Sequence, residues 1–220
     1  MSDKIERIPE RLPDFYRYAV FVIYAVVIAQ SFPLVTDIFI PYTNVLSFDG
    51  FENALTLILV YFFVVTSWIG YFKSITHRPH SENKYGLTRF GLDLFLIYQF
   101  YYMVNLIPNK SYHGDIFVWS FPAIFVTFLV WDIVKYYEFK KESKLERVNR
   151  KNRLVVTLLT LVPFVGVAVT YYYLIPIHPL IYNTNNVWNI IFIVISFVII
   201  FAYRWKKWNH PKRKNRKTTK

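Results

Sequence analysis

The chain has 220 residues, of which 55% are hydrophobic and 20% aromatic, and it carries a formal net charge of +12. That apolar load excludes an ordinary soluble domain, and the absence of cysteine excludes disulfides, thiol catalysis and cysteine-ligated metals. In a soluble protein the charge would point to nucleic acid; here the placement of the basic residues gives a different reading.

The apolar residues come in long blocks rather than in amphipathic spacing. A run of about 18 residues is long enough to cross a bilayer core of roughly 30 Å. Six windows qualify, at about 17–35, 53–72, 88–107, 116–136, 154–175 and 186–204. Continuous runs of this kind argue against a barrel, whose strands are short and alternating. The expected fold is all-α, a polytopic membrane protein built as a six-transmembrane-helix bundle. One membrane domain, 16–205, is flanked by an N-terminal tail, 1–15, and a basic tail, 206–220.

Taken in order, the tail 1–15 is charged and contains Pro9 and Pro13. The first span includes YAVFVIYAVVIA, 18–29, which also fits a signal-peptide core ending in Val27-Ile28-Ala29. Retention is preferred; cleavage would leave five spans. The stretch 36–52 carries Asp37, Asp49 and Glu52 without Lys or Arg, and its apolar residues predict that it packs on the bundle. The loop 73–88 holds Pro79 and Gly86 as breakers. It also holds His77 and His80 in HRPH, with Glu82 as the one acidic neighbour, so no metal site is expected there. Residues 108–115 read as a tight turn. The segment 136–153, YYEFKKESKLERVNRKNR, has no Gly or Pro, so the fourth helix is expected to continue past its apolar window. Pro122 and Pro163 predict kinks in the fourth and fifth helices. Thr157, Thr160, Gly166 and Thr170 form a small-residue stripe that fits close helix packing. Tyr and Trp gather near span ends, as in an interfacial aromatic belt.

Basic residues set the topology, because cytoplasmic loops are enriched in Lys and Arg. The N-terminal tail has four, the second loop four, the fourth loop eight and the C-terminal tail nine. Thus 25 of 26 fall on one side, and only Lys110 on the other. The expectation is N-in and C-in, in a plasma membrane. The many Ile, Tyr, Lys and Asn residues point to a prokaryotic source. The tail residues Lys206, Lys207, Lys212, Arg213, Lys214, Arg216 and Lys217 follow Trp205 and would hold anionic lipid headgroups, at roughly 1 kcal/mol each near the surface. A cytosolic protein partner is a second use for this tail; nucleic acid is not expected.

The third window, TRFGLDLFLIYQFYYMVNLI, places Arg89 at the inner interface and Asp93 one turn deeper, about 6 Å on. They are i and i+4, so they share a face. On the fourth helix, running the other way, Asp132 and Lys135 lie at the same depth. A short turn makes these helices antiparallel neighbours. Arg89, Asp93, Asp132 and Lys135 are therefore expected to converge, as a salt-bridge network or as a charged vestibule. Gln99 lies near mid-membrane, where an amide seeks a partner helix or a polar path.

Familiar catalytic patterns are missing. There is no H-E-x-x-H, no G-x-S-x-G and no Walker loop. The G-x-G-D of intramembrane aspartyl proteases is absent too, since the residues before Asp93 read Phe90-Gly91-Leu92. No enzyme and no cofactor is expected. The first expectation is a small homo-oligomeric channel or transport-type protein with a cytoplasmic charged vestibule. The second is a non-conducting sensor or scaffold that recruits a cytosolic partner, as in a prokaryotic stress or phage-defence system. The third is a lipid-modifying membrane enzyme.

Overall fold

A computed structural model describes residues 12–77, 83–107, 110–139, 144–174 and 185–208. Among them there is no strand. Helix α1 runs over Leu12–Gln30 and is followed by two short helices, α2 at Phe32–Phe39 and α3 at Thr43–Leu46. The longer helices are α4 at Phe48–His77, α5 at Lys84–Leu106, α6 at Lys110–Glu138, α7 at Lys144–Val169 and α8 at Asn185–Trp208. A π-helical turn, Thr170–Leu174, extends α7.

The helices outrun the apolar windows that announced them. Helix α6 continues to Glu138 and α7 starts at Lys144, so both reach into the polar 136–153 segment. At the start of α5 the Asn83 side chain accepts a hydrogen bond from the Gly86 amide at 3.0 Å, satisfying one of the orphan donors of the first turn. Pro122 and Pro163 sit inside α6 and α7, which continue past them. Buried hydroxyls are met within their own helices: Thr66 donates to the Phe62 carbonyl, Thr160 to Val156 and Ser67 to Phe63. Gly166 is exposed and has open space where a Cβ would stand, so it marks no close helix contact.

Among the described residues five segments are long and apolar enough to cross a membrane: Phe15–Phe39, Phe48–Thr76, Ile116–Glu138, Arg147–Tyr173 and Val187–Trp208. Helix α5 is not among them. Its 23 residues would reach about 35 Å at 1.5 Å each, but Arg89, Asp93, Gln99 and Asn105 lower its hydropathy. It lies alongside the others nevertheless. Tyr16 of α1 stacks on Phe90 near one end of α5, with centroids 4.4 Å apart. Near its other end Val104 lines a small pocket together with Val27, Ser31 and Tyr61.

Packing joins α5 to α6, α6 to α7, α7 to α8 and α8 to α4, with α4 also meeting α5 and α1 resting on α5. The centre of this arrangement is filled by rings. Phe63 of α4 lies 5.2 Å from Phe100 of α5 and 5.7 Å from Phe125 of α6. Phe125 lies 4.9 Å from Phe164 of α7, and Phe121 lies 5.5 Å from Phe192 of α8. Phe63, Phe100, Phe121 and Phe125 are fully buried. Outward-facing residues are large and apolar, as along Leu158, Leu159 and Val162 of α7.

In lipid, a buried ring gains dispersion contacts rather than escape from water. Phe125→Ala should therefore cost about 2 kcal/mol, below the 3–5 kcal/mol of a water-soluble core. Unfolding midpoints of the detergent-solubilised variant and wild type would measure this, and a loss below a few tenths would show that the layer packs loosely.

Candidate functional site

The ends of six helices meet on one side of the aromatic layer. Their residues enclose a cavity of about 550 Å³. Helix α1 contributes Tyr24; α4 contributes Ser67, Gly70, Tyr71, Lys73 and Ser74; α5 contributes Asp93 and Leu96. Helix α6 adds Phe128, Trp131 and Lys135; α7 adds Asn149, Arg150 and Arg153; α8 adds Tyr203, Arg204, Lys207 and Trp208.

Helical phase puts these side chains inside. On α8, Ile193, Ser196, Ile200, Tyr203 and Arg204 are buried at spacings of three and four, and Lys207 continues the face. On α7, Arg150, Thr157, Thr160, Phe164 and Ala168 are buried on one stripe, and Arg153 follows the same phase. The stripe that packs the core deeper in the bundle carries cations at its polar end.

Arg204 forms the floor. It is 5% exposed, its guanidinium donates to Ser67, and it lies 5.2 Å from the Phe128 ring and 5.9 Å from the Phe63 ring. Its Nε has no hydrogen-bond partner among the described residues. A Cβ on Gly70 would come within 3.2 Å of Nη1, so glycine there gives the guanidinium its room. Lys207 pairs with Asp132 at 2.8 Å and lies 4.7 Å from the Tyr203 ring. The same carboxylate oxygen accepts from Thr157 at 2.6 Å.

Of the residues singled out in the sequence, Asp93 and Lys135 line the cavity, and Asp132 is paired with Lys207 of its wall. Asp93 accepts a hydrogen bond from the Trp131 indole at 2.9 Å. Lys135 donates to Ser74 and lies 4.6 Å from the Trp131 ring. Arg89 is fully buried beside the cavity and pairs with Glu138, whose side chain is also fully buried. Its guanidinium lies 5.5 Å from Trp131 and 5.6 Å from Phe139. Gln99 does not line the cavity; its Oε1 is buried without a hydrogen-bond partner among the described residues. Lys206 is exposed, and Lys212, Arg213, Lys214, Arg216 and Lys217 lie outside the described residues. So does His80 of the HRPH stretch. No group of three metal-ligating side chains occurs among the described residues.

Five charged participants escaped the sequence argument: Lys73, Glu138, Arg150, Arg153 and Arg204. The positive-inside pattern accounts for every basic residue near a span end, so nothing set these apart. Extending the core stripes of α7 and α8 by one turn would have found Arg150, Arg153 and Arg204.

The charge balance follows. Among the described residues six cationic side chains line the cavity, with Asp93 the one carboxylate in its lining and Asp132 joined to Lys207. Such a wall favours an anion over a cation. At the opposite end of the bundle a smaller cluster is built on Glu52, which accepts from Asn189 at 3.2 Å; Tyr171 fixes the Asn189 amide at 2.7 Å. The chain matches no protein-family model, no curated protein and no solved structure, so the chemistry of the cavity must carry the functional reading.

A buried pair that loses one member leaves an uncompensated charge. Arg89→Gln or Glu138→Gln should each cost about 3 kcal/mol. The double variant should cost at least about 1 kcal/mol less than the two combined. A thermal-unfolding cycle in one detergent measures this coupling, and simple additivity would show that the pair does not hold α5 to α6.

Proposed function

We propose that the chain is an integral membrane protein of channel or transport type whose basic cavity is an anion-receiving vestibule on the cytoplasmic side. The apolar helices are compatible with an integral membrane protein. The observation that carries the reading is the cavity wall, six cations among the described residues around about 550 Å³, backed by a ring-filled centre. A vestibule open at one end and closed at the other is what a gated or alternating path requires at rest. In this reading α5 crosses with the five apolar spans, giving six crossings with both termini and the basic end inside. Arg89 and Asp93 are tolerated because they face the bundle rather than lipid.

A second reading has its own observation. Phe63, Phe100, Phe121 and Phe125 leave no solvent-exposed surface in the centre, which suits a non-conducting subunit. Such a subunit would bind its anion and signal to a cytosolic partner through the polar ends of α6 and α7.

Topology is testable because the chain has no cysteine. In intact cells an impermeant maleimide should label Asp49→Cys and Asn105→Cys, and should label Lys206→Cys only after permeabilisation. Labelling of Asn105→Cys and Lys206→Cys from the same side would remove α5 from the spans.

Flux comes next. Proteoliposomes with the purified protein should pass anions in preference to cations, and Arg204→Gln should slow that flux about tenfold. Oligomer mass would be measured on the same samples. Well-folded protein that passes no ion under several gradients would exclude the transport reading and leave the non-conducting one.

A further inference from the structure

We propose that the outward face of α5 is the interface of a twofold dimer of this chain, in which two α5 helices cross in parallel and Gly91 and Tyr98 each meet their own counterparts. This rests on α5 crossing the bilayer but not on any flux through the protein.

Polarity marks the face. On α7 and α8 the outward residues at mid-helix are aliphatic, as at Leu158, Val162, Val194 and Val198, and lipid chains solvate them as well as another helix would. On α5 the outward line reads Thr88, Gly91, Phe95, Tyr98, Tyr102 and Asn105, all exposed. Tyr98 is 59% exposed, and its hydroxyl has no partner among the described residues. Counted from Arg89 at the inner interface, Tyr98 lies about 14 Å deep at 1.5 Å per residue, near the middle of a roughly 30 Å core. From that depth its hydroxyl reaches neither headgroup layer. A hydroxyl left unpaired in hydrocarbon is costly, and a neighbouring helix is what supplies the missing partner in a membrane.

Spacing and space allow the approach. The six outward positions follow one another in alternating steps of three and four, the 3.5-residue period along which two helices pack. Helix α7 shows the same period in Val155, Leu158, Val162 and Val165, so polarity rather than period singles out α5. A Cβ built on Gly91 would meet nothing within 4 Å, so the backbone there is open to close contact from outside. One turn deeper, the Phe95 and Tyr98 rings stack with centroids 6.5 Å apart and present a flat apolar shoulder.

The occupant is a second copy because the face suits itself. A hydroxyl both donates and accepts, so Tyr98 pairs with its own counterpart. The charged residues of this stretch, Arg89 and Asp93, are buried, so the outward line meets its copy without repulsion. Copies inserted by the same rules share one orientation, which sets the twofold axis along the membrane normal and brings equal residues together at equal depth.

The chain has no cysteine, so single-cysteine variants read the interface directly. In proteoliposomes, oxidation should link copies of Gly91→Cys and of Tyr98→Cys, and should leave Val162→Cys of α7 and Val198→Cys of α8 unlinked. Dimer fraction would be followed by single-molecule photobleaching as lipid dilutes the protein. Gly91→Leu, whose side chain enters open space and leaves the monomer's packing untouched, should weaken association about tenfold or more. Tyr98→Phe keeps the ring, loses the oxygen and should weaken it about threefold. Links at Val162→Cys or Val198→Cys with none on α5, monomers at every dilution, or association indifferent to both α5 substitutions overturns the proposal. The maleimide labelling of Asn105→Cys keeps the two readings apart: a crossing α5 without association sinks this interface alone, and α5 pairing without ion flux sinks only the transport reading.

Discussion

The contact between Arg89 of α5 and Glu138 of α6 decides where charge can lie in this bundle. Both side chains are fully buried, and neither could be left there alone. Their mutual neutralisation lets α5 pack among apolar helices at all. It also fixes the depth of α6, and with it the height of Trp131, whose indole reaches Asp93 at 2.9 Å. From that point the polar end of the bundle follows: Lys135 turns to Ser74 of α4, and Asp132, one residue along from Trp131, meets Lys207 of α8 and Thr157 of α7.

Two physical regimes share the same helices. Toward one end, rings at 5–6 Å spacing exclude solvent and leave nothing for an ion to bind. Toward the other, the same helix faces carry Arg153, Arg204 and Lys207 around open space. Phe128 and Tyr203 stand at the boundary, each close to the Arg204 guanidinium. Aromatic faces are among the few apolar surfaces that stabilise a cation, so the transition from dry core to charged cavity takes place within about a single turn.

Much of the architecture could be read from the sequence because lipid imposes one dominant rule. Apolar blocks of sufficient length located the five candidate spans, and the Gly- and Pro-free run 136–153 foretold that α6 would continue, though most of the lengthening falls to α7, which starts at Lys144. Asp93, Asp132 and Lys135 could be placed at one depth from helix rise alone. What the sequence hid was direction. Arg150, Arg153 and Arg204 sit where any membrane protein keeps positive charge, and only their phase on α7 and α8 tells that they point inward. Glu138 was hidden for the same reason, lying in a stretch that reads as solvated. Gln99 shows the reverse: a polar residue near mid-span that drew notice yet takes no part in the cavity.

The polarity of α5 bears on how the protein is made. On the six-crossing topology, a segment with Arg89 and Asp93 in its first turns meets the insertion machinery before α6 has been synthesised. Each such charge adds about 2.5–3.5 kcal/mol to the insertion cost at the centre of a helix, less toward its end. The groups that offset this cost, Glu138 and Trp131, come some 40–50 residues later in the chain. Helix α5 would therefore wait at the edge of the translocation channel and enter lipid with α6 as a hairpin, so the order of synthesis and the buried ion pair become parts of one assembly step.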